Sequence, residues 1–147
     1  MTLTELPDGQ PASTGDPARL PHPTVVVAVD ECPASIEALA WAADEALCRG
    51  MPLRIVTVFA DADHPHAPKT FDRALALQHR LRRHIARDRP WVDDANHLIA
   101  RGSMRGVLNE AARVDDILVV GEAAEVTVMD ASQRPICPVV VVPTRRP

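Results

Sequence analysis

Hydrophobic and polar positions along this chain fall into short apolar runs separated by stretches of helical period. Thr24-Val-Val-Val-Ala-Val-Asp30 is apolar and β-branched without alternation. A strand buried on both faces has this pattern, and such strands belong to parallel sheets covered by helices on each side. Pro33 follows where a first helical turn accepts proline, because no N–H is needed there. Ile36, Leu39, Ala40, Ala43 and Leu47 then recur at helical spacing, and Gly50 supplies a C-terminal cap. Leu53–Phe59 predicts a second strand. Thr70–Asp88 predicts a second helix with Ala74, Leu77, Leu81 and Ile85 on its apolar face, ended by Pro90. His97–Ala100 predicts a third strand. Ser103 is placed to cap a third helix carrying Val107, Leu108, Ala111 and Val114. Ile117–Val120, closed by Gly121, predicts a fourth strand, and Val139–Val142, between Pro138 and Pro143, a fifth. Glu122–Pro135 has no clear period and leaves room for one short helix at most.

Strands alternating with helices define an α/β domain with a doubly wound, five-stranded parallel sheet and right-handed crossovers. Ligands of such sheets bind at the carboxyl ends of the strands, where strand order reverses. The segments that matter for function are therefore Asp30-Glu31-Cys32, Phe59–Pro68 and Gly121–Glu125.

Composition narrows this picture. The chain has 147 residues, the size of one domain, with four aromatic side chains: Trp41, Trp91, Phe59 and Phe71. The core must be aliphatic. Residues 1–23 hold five prolines and few large apolar groups, so a flexible arm is expected there, ahead of a domain at 24–147. A net charge of −4 offers no global attraction for nucleic acid or an anionic membrane, and no apolar run approaches the roughly 20 residues of a membrane span. Cys32, Cys48 and Cys137 form no CxxC pair and no disulfide framework, which favours a reducing cytoplasm.

The ordered set of segments resembles the universal stress protein family. The resemblance rests on Val25–Asp30 with Pro33–Ala42, on Leu53–Val58, on Ala100-Arg-Gly102 with the helix after it, on Asp116–Gly121 and on Cys137–Pro143. It implies a Rossmann-like sheet of order 3-2-1-4-5, of the adenine nucleotide alpha hydrolase-like kind, and homodimers paired through the last strand. An unpaired apolar edge at Val139, Val140, Val141 and Val142 would be covered by such pairing. The resemblance also implies that many members bind ATP, through an acid ending the first strand and a G-x2-G-x9-G-[ST] pattern after the fourth. Carried over by residue, Asp30, Val58 and Gly121 are the nucleoside-side positions. The phosphate half departs from the pattern: Ala124 stands at the second glycine, and no glycine follows Gly121. Residues 122–136 are fifteen positions, and the rest of the glycine pattern would use all but one of them, leaving no crossover helix. Glu31 adds a carboxylate where phosphates would sit.

The expectation is therefore a non-catalytic, homodimeric stress-response module that takes no cofactor and does not bind ATP. An adenine-nucleotide binder using the crevice at Asp30, for ATP or AMP, is the alternative. A nucleotide hydrolase is a third and weaker option. Asp30 has a bland role available, as an acid complementing a helix dipole. Cys32 at the helix start has the position of a redox-sensing thiol, but Asp30 and Glu31 oppose its ionisation, and a small cap residue is the expectation. Asp61-Ala-Asp-His-Pro-His66 has metal-ligand residue types, yet Pro65 between the histidines works against convergence, so no metal is expected. The run Arg80–Arg89 holds five arginines and could meet an acidic partner or a phosphate backbone; without aromatic platforms, nucleic acid is not expected. No serine has an elbow or a nearby base, so no catalytic residue is assigned.

Overall fold

A computed structural model describes residues 4–5, 11–13, 23–122 and 137–143. Its strands are β1 (Thr4–Glu5), β2 (Pro11–Ser13), β3 (Val25–Ala28), β4 (Leu53–Phe59), β5 (Asn96–Arg101), β6 (Ile117–Gly121) and β7 (Val139–Val142). The helices are α1 (Ala34–Arg49), α2 (Phe71–Ala86) and α3 (Met104–Ala111), with a 3-10 turn at Pro90–Asp94. The sheet order is β1-β2-β5-β4-β3-β6-β7. The last five of these strands are mutually parallel. Counted among themselves, they have the expected order 3-2-1-4-5, the doubly wound α/β arrangement.

Two further strands lie within residues 1–23. β1 and β2 pair antiparallel, and β2 meets β5 at Ser13↔Ala100. Proline-rich sequence gives no strand pattern, because proline lacks a ladder donor; Pro11 is accommodated as the first residue of β2, opposite Glu5 where the β1–β2 register shifts. The segment Glu122–Pro135 falls almost wholly outside the described residues.

Every residue of β3 and β4 is buried, the apolar run of β3 and, in β4, Arg54 and Thr57 along with the apolar residues. Val25, Val27 and Val29 pack with Leu39, Leu77 and Leu81 under α1 and α2. Val26, Ala28, Val56 and Leu98 pack with Met104 and Leu108 under α3. α1 is rotated from its predicted face: Ala38, Leu39, Ala42, Ala43 and Ala46 are buried, while Leu47 is 58% exposed. Alanines allow the helix axis close to the sheet, so the small residues, not the largest apolar ones, choose the buried stripe. α2 buries the predicted Ala74, Leu77, Leu81 and Ile85, plus Gln78. Val114, predicted on α3, lies beyond the helix and is exposed.

Gly50 and Ser103 are caps as the sequence marks, and Thr70 caps α2. Gly50 adopts φ 64° and donates to the carbonyls of Ala46 and Leu47. Thr70 accepts from the Arg73 N–H and Ser103 from the Gly106 N–H, each through its hydroxyl oxygen. Asp116 is fully buried. Its Oδ1 accepts from the Thr24 N–H at 2.8 Å across 92 residues, and its Oδ2 from the Arg113 N–H at 2.8 Å. It fastens the entry of β3 to the entry of β6.

Buried Gln78 spans two strands. Its amide nitrogen donates to the carbonyls of Ile55 (3.2 Å) and Leu98 (3.1 Å) and to Thr57 Oγ1 (2.9 Å). Its oxygen accepts from His97 Nδ1 at 2.7 Å. Burial, followed by the nearby charges of Arg82 and His79, lowers the His97 pKa below its usual value. The folded state therefore binds fewer protons than the unfolded chain. This contribution to stability is complete above about pH 6.5, and it is lost as pH falls through the lowered folded value. Unfolding midpoints measured from pH 7 down to pH 5 should fall more steeply for the native chain than for His97→Gln. Parallel curves would remove His97 as the cause.

Candidate functional site

The site is built where β3 and β6, neighbours in the sheet, end at the same edge. β3 leads into Asp30, which is 4% exposed. Its Oδ1 accepts from the Cys32 N–H (2.9 Å) and the Ser35 hydroxyl (2.9 Å), and the Asp30 N–H donates back to Ser35 Oγ (2.8 Å). This local turn, an aspartate bonding two residues ahead, folds the chain into α1. His64 completes the set: its Nε2 lies 2.7 Å from Asp30 Oδ2, and the ring is 2% exposed. An ionised carboxylate only accepts, so Nε2 is the donor. Asp30 thus has protein partners on both oxygens.

His64 arrives on the loop after β4, which the backbone holds over the strand ends. Glu31 N–H donates to the His66 carbonyl (2.8 Å), Ala60 N–H to Pro68 (2.9 Å) and Ala67 N–H to His64 (3.1 Å). Ala60 takes φ 62°, a left-handed conformation unfavourable for a side chain, in order to start this turn. Asp61 anchors the other side: Oδ1 accepts from the Asp63 N–H (3.0 Å) and Oδ2 from the Met104 N–H at the start of α3 (2.8 Å). The His64 and His66 rings meet edge to face at 6.2 Å. Among the described residues, no three His, Cys, Asp or Glu side chains converge as metal ligands.

The other sequence-predicted positions divide. Gly121 is the last residue of β6 and lies against the first residue of α1. A Cβ there would stand 3.0 Å from Ala34 Cβ and 3.3 Å from its carbonyl oxygen. Its lack of a side chain serves the approach of helix to strand. Val58 is 2% exposed within the cluster under α3, alongside Val56 and Met104. Glu31, read as a charge facing phosphates, is instead paired: its Oε2 accepts from Arg73 Nη2 (2.7 Å) and Nε (3.1 Å) of α2. Cys32 is partly exposed, and its carbonyl accepts from the Ser35 N–H (3.0 Å). The three cysteines are unpaired thiols, and burial, then the charge of Asp116, raises the Cys137 pKa. β7 pairs with β6, and among the described residues its other side has no strand. Val139, Val140 and Val141 are partly buried and Val142 is buried.

Sequence reasoning missed His64 as the partner of Asp30. The signal available was positional: a histidine in the loop after the strand next to the one that ends in Asp30.

The chain is a doubly wound α/β domain with an acid at the end of its central strand, here engaged by the chain's own histidine. A model of the universal stress protein family matches residues 22–143, and the chain belongs to that family. Universal stress proteins of two Mycobacterium tuberculosis strains are each 33% identical to it over 133 residues, covering 80% of this chain and 47% of theirs. The chain spans about half the length of these curated relatives. Among solved structures, a universal stress protein in complex with cAMP is similar with a TM-score of 0.53 and 19% identity, covering 81% of this chain and 95% of that one. The universal stress protein from Archaeoglobus fulgidus in complex with dAMP gives 0.52 and 18%, covering 81% and 96%. These likenesses establish the shared fold.

Proposed function

We propose that this universal stress protein domain is a non-catalytic stress-response module whose crevice is closed to ATP by its own loop. The observation that carries the reading is the buried His64–Asp30 hydrogen bond at 2.7 Å. It occupies the carboxylate oxygen that a nucleoside would otherwise engage, and a ligand would have to displace the imidazole and leave it another partner. The absence of any glycine after Gly121 supports the same reading for the phosphates. Buried helix packing of Gly121 adds to it.

Calorimetric titration with ATP, AMP and adenosine tests the proposal. The expected result is no saturable heat with ATP. Saturable micromolar ATP binding would overturn it. Saturation by AMP or adenosine alone would favour the second reading, an adenosine monophosphate site, which the cAMP and dAMP bound by the two solved relatives bring into view.

The module acts as a homodimer joined along β7, in the cytoplasm. A short valine strand with no strand beyond it among the described residues is an association hazard unless a second copy covers it. No helix among the described residues is long and apolar enough to cross a membrane. Sedimentation at micromolar concentration should give about twice the 16.0 kDa chain mass. A dilute monomer that stays soluble would count against the dimer.

A further inference from the structure

The exposed face of α2 bears a charge pattern that neither the fold nor the crevice uses. Arg80, Arg83 and Arg87 are exposed and recur at i, i+3 and i+7, a stripe about 10 Å long on a helix. No carboxylate of the described residues pairs with them. Arg73 and Arg89, by contrast, are engaged by Glu31 and Asp44. The stripe borders an open groove of about 820 Å3 in which Asp93, 3.9 Å from Arg82 Nε, is the only carboxylate among the described lining residues. Arg83 and Arg87 stand four residues apart, where like charges oppose helix formation. The helix dipole favours cations in the last turn, which accounts for Arg83 and Arg87 but not for Arg80 one turn earlier. This accumulation lies on a chain of net charge −4.

A second feature adjoins the stripe. Leu75 is 41% exposed and overhangs a slot of about 220 Å3 between α2 and β5, lined also by Ile99, His97 and Gln78. His79 and Arg82 line both slot and groove. The slot is smaller than the roughly 300–1,000 Å3 typical of small-molecule sites, so it suits one side chain better than a whole cofactor. It shares no residue with the Asp30 crevice.

We propose that this face docks an acidic segment of a partner protein, with one apolar side chain of the segment in the Leu75–Ile99 slot and its carboxylates along Arg80, Arg83 and Arg87. Guanidinium groups pair bidentately with carboxylates and phosphates alike, so the slot decides between the two. A polynucleotide has no aliphatic side chain to seat. Stacking is also unsupported: no Phe, Tyr or Trp lines groove or slot, and the partly buried Trp91 donates its indole N–H to the Ala43 carbonyl.

The test is a selection of random displayed peptides on the full chain, followed by fluorescence anisotropy of the winners. Enriched peptides should combine one large apolar residue with several Asp or Glu. Their affinity should fall about tenfold or more when the apolar residue becomes glycine, when Leu75→Ser is introduced, or in the combined Arg80→Glu, Arg83→Glu, Arg87→Glu variant. Circular dichroism melting checks that the variants remain folded. The milder Arg80→Gln, Arg83→Gln, Arg87→Gln set should give an intermediate loss. Selection without acidic enrichment, unchanged binding by the charge-reversed chain, or tighter binding of oligouridylate than of the selected peptides would each overturn the proposal.

Discussion

Replacing Asp30 by alanine should lower the unfolding free energy by about 3–5 kcal/mol, while leaving the calorimetric response to ATP as flat as in the native chain. The carboxylate accepts from the Cys32 N–H, the Ser35 hydroxyl and His64 Nε2 in a site nearly closed to water. Alanine removes both acceptor oxygens at once. It strands a backbone donor at the start of α1 and a buried imidazole in the loop above it. Asp30→Asn keeps the oxygen that Cys32 and Ser35 use and should recover part of the loss. Chemical denaturation with a two-state fit gives the comparison. An Asp30→Ala chain of native stability would mean that the hydrogen bonds to this carboxylate add little. An Asp30→Ala chain that lost an ATP signal present in the native protein would make Asp30 a ligand group and refute the closed crevice.

The second large effect is expected at Gly121. Valine there would place its Cβ 3.0 Å from the Ala34 side chain and 3.3 Å from the Ala34 carbonyl oxygen, with two further methyl groups to house. The carbonyl belongs to the first residue of α1, and that helix is held to the sheet by a stripe of buried alanines with no slack. Overpacking of a core contact costs about 1–3 kcal/mol, and the backbone side of this contact puts Gly121→Val at the upper end. Gly121→Ala adds one carbon at the same distance and should cost less. If thermal melts of Gly121→Val and the native chain coincide, α1 is free to move away from β6 and the close-packing account of Gly121 fails.

Both residues show what was legible in the sequence. The parallel strands were, because strands covered on both faces read as mostly apolar, β-branched runs without alternation: Val25–Ala28, Leu53–Phe59 and Val139–Val142 stand where such runs placed them. Caps such as Gly50 and Ser103 were legible because a single residue type answers a single geometric need. The buried face of α1 was legible in part: Leu39 and Ala43 are buried where helical spacing placed them, but Ala38, Ala42 and Ala46 complete the stripe and Leu47 is exposed. β1 and β2 carried no signal, because strands of two and three residues are too short to show an alternation. The bond between His64 and Asp30 joins positions 34 apart. Its existence depends on how the loop after β4 folds back over the end of β3, which no local pattern encodes. The pairing of Glu31 was hidden for a related reason: its partner, Arg73, is 42 positions away.

The link between Asp116 and Thr24 also bears on the order in which the chain is made. β3 is the middle strand of the parallel set, and β4 and β5 follow it soon after in synthesis. Its other flank waits for β6, whose entry is fixed by a hydrogen bond reaching back 92 residues. Until then a fully apolar strand has one bare edge, the kind of surface on which nascent chains aggregate. β6 must close that edge late, and such long-range pairing is intrinsically slow. Asp116, with one carboxylate oxygen on Thr24 and the other on the turn that launches β6, is the latch that ends the exposure.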